Sequence, residues 1–277
     1  MKHLQWFPGH MTAAVRMMEE NLKAVDGVMM VLDARAPRAS INEKLSKMFS
    51  GKKILYVINK SDLITQKDAL RVVKEFEKEG KTAVSVSAMD KRAVDLLYSK
   101  IFELLKEKIE RNKLRGMFKP MRIMVTGIPN TGKSTIINAL CGGKKAITGN
   151  KAGVTKGKQW VRIKELELLD TPGTMPPAFE NQTLAKYLAY IGCMNDANLD
   201  FGDLAFELIK DLKEKYPELL KEKYSIEDLD KETIELFDDI CVRRGFLMRG
   251  GEFDYERCAT AIIDDLRKGR IGKIIFD

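Results

Sequence analysis

The chain has 277 residues, 44% hydrophobic and 32% charged, a globular balance that excludes disordered, collagen-like and mucin-like readings. At roughly 150 residues per domain, the length predicts two domains. The net charge is +8, and the longest apolar runs, 27–32 and 54–58, fall far short of the ~18 residues of a membrane span. From the amino terminus, β-rich runs at 27–33, 53–58, 82–86 and 121–126 alternate with amphipathic stretches at 11–25, 41–49, 66–79, 91–112 and 133–141. That alternation predicts an α/β fold, a mostly parallel sheet with helices on both faces. A hairpin-like pair follows at 158–163 and 166–169. After Pro176-Pro177 the pattern turns to charged helices with apolar spacing such as Leu204, Leu208 and Leu212. The expected organisation is therefore residues 1–177 as the α/β domain and 178–277 as a smaller all-helical one.

Gly127-Ile128-Pro129-Asn130-Thr131-Gly132-Lys133-Ser134 fits G-x-x-x-x-G-K-[ST] between a predicted strand and a predicted helix. The backbone amides of such a loop, Asn130, Thr131, Gly132 and Thr135 among them, curl around phosphates. Lys133 reaches the β/γ oxygens and the Ser134 hydroxyl can bind Mg²⁺. Asp170-Thr171-Pro172-Gly173 ends a later predicted strand, where Asp170 would serve the Mg²⁺ side and the Gly173 amide would contact the γ-phosphate.

Asn59-Lys60-Ser61-Asp62 follows another apolar strand and matches N-K-x-D. A carboxylate at Asp62 accepts from both N1–H and the 2-amino group of guanine, and adenine offers neither. Ser85-Val86-Ser87-Ala88 is the candidate companion loop, its backbone amides turned to guanine O6. The base loops come before the phosphate loop, the reverse of the usual order, so the domain reads as circularly permuted. A parallel sheet allows this because it collects ligand at the carboxyl ends of its strands in any chain order.

With these motifs the chain resembles the YlqF/RbgA family of circularly permuted GTPases, which act in late assembly of the large ribosomal subunit. Further matching segments are Gln5-Trp6-Phe7-Pro8-Gly9-His10-Met11, Asp33-Ala34-Arg35-Ala36-Pro37 and Gly153-Val154-Thr155. The resemblance implies GTP and GDP as ligands, Thr155 closing on the γ-phosphate and Mg²⁺, and a basic switch loop at Lys151, Lys156 and Lys158. Thr174 stands where Ras-like enzymes carry a water-orienting glutamine, and the family implies His10 as the catalytic replacement. By itself a single histidine is more often structural than catalytic. Asn130 corresponds to a residue that helps bind K⁺ in related GTPases; the other reading is an asparagine satisfying loop backbone.

Residues 1–180 carry 33 basic and 19 acidic side chains, 181–277 carry 15 and 21, and 110–165 alone have 13 and 2. Such a field suits a polyanion, and on charge alone solvated lysine on helix faces together with the phosphate loop accounts for it equally well; with the resemblance it implies the large ribosomal subunit and its rRNA as partner. In the helical domain Arg243, Arg244, Arg249, Arg267, Lys268 and Arg270 are candidate phosphate contacts, with Phe246 and Phe253 read as core. Cys141, Cys193, Cys241 and Cys258 lack any metal spacing and read as small buried hydrophobes. No leader or membrane segment is expected, so the chain is read as cytoplasmic, and a monomer is the simplest oligomeric reading. A protein-partner switch and a non-hydrolysing RNA binder are the rival functions.

Overall fold

The computed structural model describes residues 9–142, 159–176 and 178–277, without the side chains of His10 and Gln159. They fall into two compact units: one runs to Glu180 and takes back Ile275–Asp277, and the other is Asn181–Ile274.

The first unit is built on β1 (Gly27–Asp33), β2 (Lys53–Asn59), β3 (Thr82–Ser85), β4 (Met121–Thr126), β5 (Gln159–Ile163) and β6 (Leu166–Asp170). They form a six-stranded sheet in the order β3-β2-β1-β4-β6-β5. Every pairing is parallel except the β5–β6 hairpin, whose turn is Lys164-Glu165. β1 is buried at every position, as a central parallel strand covered on both faces must be. Its alternate residues serve opposite cores. Val28, Met30 and Leu32 join one apolar cluster, and Met29 and Val31 join the other.

The covering helices are α1 (Gly9–Asn21), α2 (Glu43–Met48), α3 (Gln66–Lys78), α4 (Arg92–Leu104), α5 (Lys106–Leu114) and α6 (Lys133–Leu140). Asn42 and Thr65 cap α2 and α3 by accepting the Leu45 and Asp68 amides. The stretch 91–112, expected as one helix, is two. Leu105 closes α4 in a non-helical conformation with its side chain buried over Gly27. The apolar spacing of Leu97, Ile101, Leu105 and Ile109 runs unbroken through that step, so the sequence pattern carries no sign of it.

The second unit holds α7 (Gln182–Tyr190), α8 (Phe201–Lys215), α9 (Pro217–Tyr224), α10 (Thr233–Arg243) and α11 (Tyr255–Arg267). Tyr190 is fully buried and its hydroxyl donates to Asp211 at 3.0 Å. The division between units lies three residues beyond the expected 177/178 boundary, and the tail does not stay with the helices. Phe276 N–H donates to the Arg35 carbonyl at 2.7 Å, and the Asp277 carboxylate accepts the amides of Arg38 and Ala39 at 2.9 and 2.7 Å. Ile275 enters the cluster that contains Val28 and Met30. Cys193, Cys241 and Cys258 are buried, Cys141 is half-buried, and none of the four is in a disulfide. Among the described residues no helix is long and apolar enough to cross a membrane.

Candidate functional site

The parallel register brings Asp33, Asn59, Ser85, Thr126 and Asp170 to one edge of the sheet, each ending its strand. Ligands of open parallel sheets bind at such an edge. The loop after β4 needs glycine twice for different reasons. Gly127 has φ +142° and a Cβ there would run into the Val31 carbonyl; Gly132 has φ +91° and a Cβ there would run into the Asn59 amide. Backbone is thereby kept close to backbone at Gly127 and to the Asn59 side chain at Gly132, and α6 begins directly at Lys133 with its amino-terminal amides toward the loop.

Lys133 is buried and its Nζ donates to the Ile128 carbonyl at 2.7 Å, folded over its own loop. Thr131 is buried and its hydroxyl donates to the same carbonyl at 3.2 Å. The Ser134 hydroxyl donates to Asp170 Oδ2 at 3.1 Å, while Asp170 Oδ1 is buried with no hydrogen-bond partner. Burial pushes the Asp170 carboxyl up, partly opposed by Lys133, Ser134 and the Thr171 amide. Gly173 lies against the same loop: a Cβ there would come within 2.7 Å of Pro129 backbone and 2.9 Å of Lys133 Nζ. Thr135 is half-buried in the first turn of α6.

The base loops are tied to the phosphate loop. Asn59 Nδ2 donates to the Thr131 carbonyl at 2.8 Å, and its Oδ1 accepts the Ala88 amide at 3.0 Å. The Ala88 amide, expected to face guanine, is thus taken by Asn59. Lys60 adopts φ 64° and its Nζ donates to the Asn130 carbonyl at 2.7 Å. Asn130 is itself left-handed at φ 61°. Ser61 N–H donates to the Val86 carbonyl at 3.1 Å, which sets the two base loops side by side, and leaves Asp62 exposed and Ser87 half-buried.

A feature of this edge that the motifs did not reveal is the ion cluster beneath it. Asp33 is fully buried and pairs with Arg35 and with Lys60 Nζ, both at 2.8 Å. Burial alone would raise its carboxyl, but Arg35 and Lys60 outweigh that and hold it well below the usual carboxylate range. The sequence signal was a carboxylate closing an otherwise apolar strand, GVMMVLD, two residues before an arginine.

A family described as 50S ribosome-binding GTPase matches residues 122–237. The match begins in β4, so both base loops lie ahead of it, as a permuted order requires. Ribosome biogenesis GTPase A of Priestia megaterium is 38% identical over 99% of this chain and 96% of its own. The chain belongs to the ribosome biogenesis GTPase A family. Two solved structures have the same fold as this family member: GNP-bound YlqF from T. maritima, 27% identical with a TM-score of 0.66 over 96% of this chain and 97% of that one, and a GDP-bound YlqF, 25% identical with a TM-score of 0.68 over 95% and 98%. The first unit is accordingly a circularly permuted P-loop GTPase domain.

In this member of the ribosome biogenesis GTPase A family Thr174 is fully buried. Its amide donates to the Gly127 carbonyl at 3.2 Å, and its carbonyl accepts Asn42 Nδ2 at 3.0 Å. Its hydroxyl is buried with no hydrogen-bond partner. Thr155, with Lys151, Lys156 and Lys158, and the His10 side chain lie outside the described residues. In the helical unit, Arg267 proves structural. It donates to the Ala189 and Tyr190 carbonyls at 2.9 and 3.1 Å and pairs with Asp196 at 2.8 Å, closing the end of α7. Arg244 and Arg270 reach the buried Asp265 at 3.5 and 3.4 Å. Phe246 and Phe253 are half-buried, with the Arg257 guanidinium 4.9 Å over the Phe246 ring.

Proposed function

We propose that this chain binds GTP, hydrolyses it to GDP and phosphate, and does so while engaging the large ribosomal subunit during its assembly. The observation that carries the reading is Asn59 and Lys60 holding Thr131 and Asn130, which welds an N-K-x-D loop to a phosphate loop. In it Asp62 accepts from the guanine edge, and the discrimination against adenine follows from the unpaired acceptor adenine would leave. Asn59, Lys60 and Ser61 position that carboxylate, with Ser87 and Ala88 closing the far side of the base. The amides at Asn130, Thr131, Gly132, Ser134 and Thr135 cradle the phosphates, and Lys133 turns from the Ile128 carbonyl onto the β/γ oxygens. Gly173 presents its amide to the γ-phosphate.

The orphaned Asp170 oxygen and the Ser134 hydroxyl are hard oxygen donors that suit Mg²⁺. Ser134, Asp170 and the switch residue Thr155 would hold it. When bound, Mg²⁺ neutralises charge developing on the β- and γ-phosphate oxygens. With Thr174 buried, orienting the attacking water falls to His10. Asn130 is the candidate K⁺ ligand, against a loop role to which its left-handed backbone is equally suited. Arg243, Arg249 and Lys268, rather than Arg267, are the stronger candidates for rRNA phosphates on the helical unit, and the cytoplasm is where such a subunit partner resides.

Steady-state GTP hydrolysis with and without purified large subunits, in potassium and in sodium buffer, tests the proposal. Strong stimulation with GTP and none with ATP is expected. His10→Ala should lose the stimulation and keep GTP affinity. Tight GTP binding with no stimulation overturns the assembly reading, and equal rates in the two salts remove the K⁺ ligand.

A further inference from the structure

The opposite end of the sheet carries a cavity with no part in the nucleotide site. It opens where β4 begins, at Pro120 and Met121, roughly 16 Å along the strand from the phosphate loop at ~3.3 Å per residue. Its volume is about 340 Å³, within the roughly 300–1,000 Å³ of ligand-holding sites.

Three features of its lining point the same way. The walls are apolar, from Phe102, Ile109 and Met121, and Phe102 is held by stacking on Tyr98 with ring centroids 6.3 Å apart. Phe118, also in the lining, is 90% exposed, a large ring kept in water. Asn112, only 6% exposed, lines the cavity with its Nδ2 lacking any hydrogen-bond partner. A buried donor left unpaired is costly and calls for an acceptor from outside. Around these stand Lys113, Lys119, Arg162 and Lys164 against a single carboxylate, Glu165. Lys164 is seated over the Tyr98 ring at 5.6 Å.

We propose that this cavity is a contact site for single-stranded RNA, separate from the nucleotide site and from the helical unit. A base enters against Phe118 and Phe102, an acceptor on its edge takes the Asn112 amide, and the flanking phosphates lie on Lys113, Lys119 and Arg162. A nucleobase joins the three properties required: a flat apolar face, acceptors on its rim and an anionic strand to either side. An acidic peptide would satisfy the cations, but its aromatic side chains carry at most a single acceptor at the ring edge, a tyrosine hydroxyl or a histidine nitrogen, where a base carries several. The choice of RNA as the strand rests on the assembly reading above. The hairpin that supplies Arg162 and Lys164 ends at Asp170, so an occupant touches an element that runs to the phosphate site.

Fluorescence anisotropy with labelled oligouridylate and oligoadenylate RNA tests this on the full chain. Wild type should bind both, and Phe118→Ala should weaken binding about tenfold, as the loss of one stacking contact does. The exposure of Phe118 means its replacement leaves the core intact. A Lys119→Ala/Arg162→Ala double variant should lower the salt slope by about 0.7 per lost phosphate contact. Basal GTP hydrolysis should be unchanged in both variants. No binding by wild type, or binding indifferent to these substitutions, overturns the site, and tighter binding of polyglutamate than of RNA overturns the choice of occupant. Large-subunit stimulation, measured in parallel, separates the two claims. Stimulated wild type with indifferent RNA binding overturns the cavity alone, whereas substitution-sensitive RNA binding in an unstimulated protein supports the cavity and overturns the assembly reading.

Discussion

Asn59 and Thr131 are 72 residues apart in sequence, yet the Asn59 amide donates to the Thr131 carbonyl at 2.8 Å. The other end of the same side chain accepts the Ala88 amide at 3.0 Å. One asparagine therefore spans both base loops and the phosphate loop, and it sits where a Cβ at Gly132 would strike it. The permuted chain makes this link run backwards, from an early strand to a later loop, without altering the geometry.

Asn59→Ala should weaken GTP and GDP together. It strands the Thr131 carbonyl and the Ala88 amide, at a cost of about 1–3 kcal/mol for unmade buried bonds. Titration with a fluorescent GDP analogue should show an affinity roughly 10-fold lower or worse. Loss of GTP affinity alone would contradict the bridging role.

Asp33→Asn should destabilise the protein by on the order of 3 kcal/mol, because it leaves Arg35 buried without its counter-charge. The pH dependence has a definite sign. A carboxyl held below its usual value contributes stability that is complete above the unfolded pKa of about 4 and is lost as pH falls toward the folded value. Thermal melts should show a constant gap between wild type and variant from pH 8 to about 5, narrowing below about 4. A gap that widens with acid would refute the assignment.

The sheet and the nucleotide edge were legible because their signals are local: apolar runs bounded by turns, and loops whose glycines and lysines must occupy fixed positions. The strands at 27–33 and 121–126 stand where the runs put them. What escaped were relations between distant residues. The break at Leu105 arises from packing over Gly27. Asp277 meets the Arg38 and Ala39 amides, and Ile275 joins the cluster of Val28 and Met30, more than 200 residues away in sequence. Arg267 reads as a surface cation until the end of α7 is seen to need a donor. Spacing in one chain holds no record of such pairings.

Asp170→Asn should raise the melting temperature of the nucleotide-free, metal-free protein while removing the strengthening of GDP binding by Mg²⁺. The carboxylate is buried with one oxygen unpaired, so neutralising it relieves a desolvation cost. A gain of about 1 kcal/mol would appear as roughly 2–4 °C in a domain of this size. Calorimetry in EDTA and in Mg²⁺ separates the two effects, and a variant that melts lower in EDTA would count against a charge waiting for a cation.

Gly173→Ala should distinguish sensing of the γ-phosphate from formation of the loop. The glycine is required here by space and not by backbone angle, since an added methyl would meet Pro129 Cα and N at 2.7 Å. Those atoms are backbone and cannot turn aside, so the segment after Asp170 must draw back from the phosphate loop. GDP affinity should stay within about threefold, while affinity for a non-hydrolysable GTP analogue falls and subunit-stimulated turnover drops on the order of 100-fold, as when one aligned donor is lost. Equal losses for the two nucleotides would instead mean that Pro129 and the whole loop had shifted, and that the Gly173 amide does not read the third phosphate.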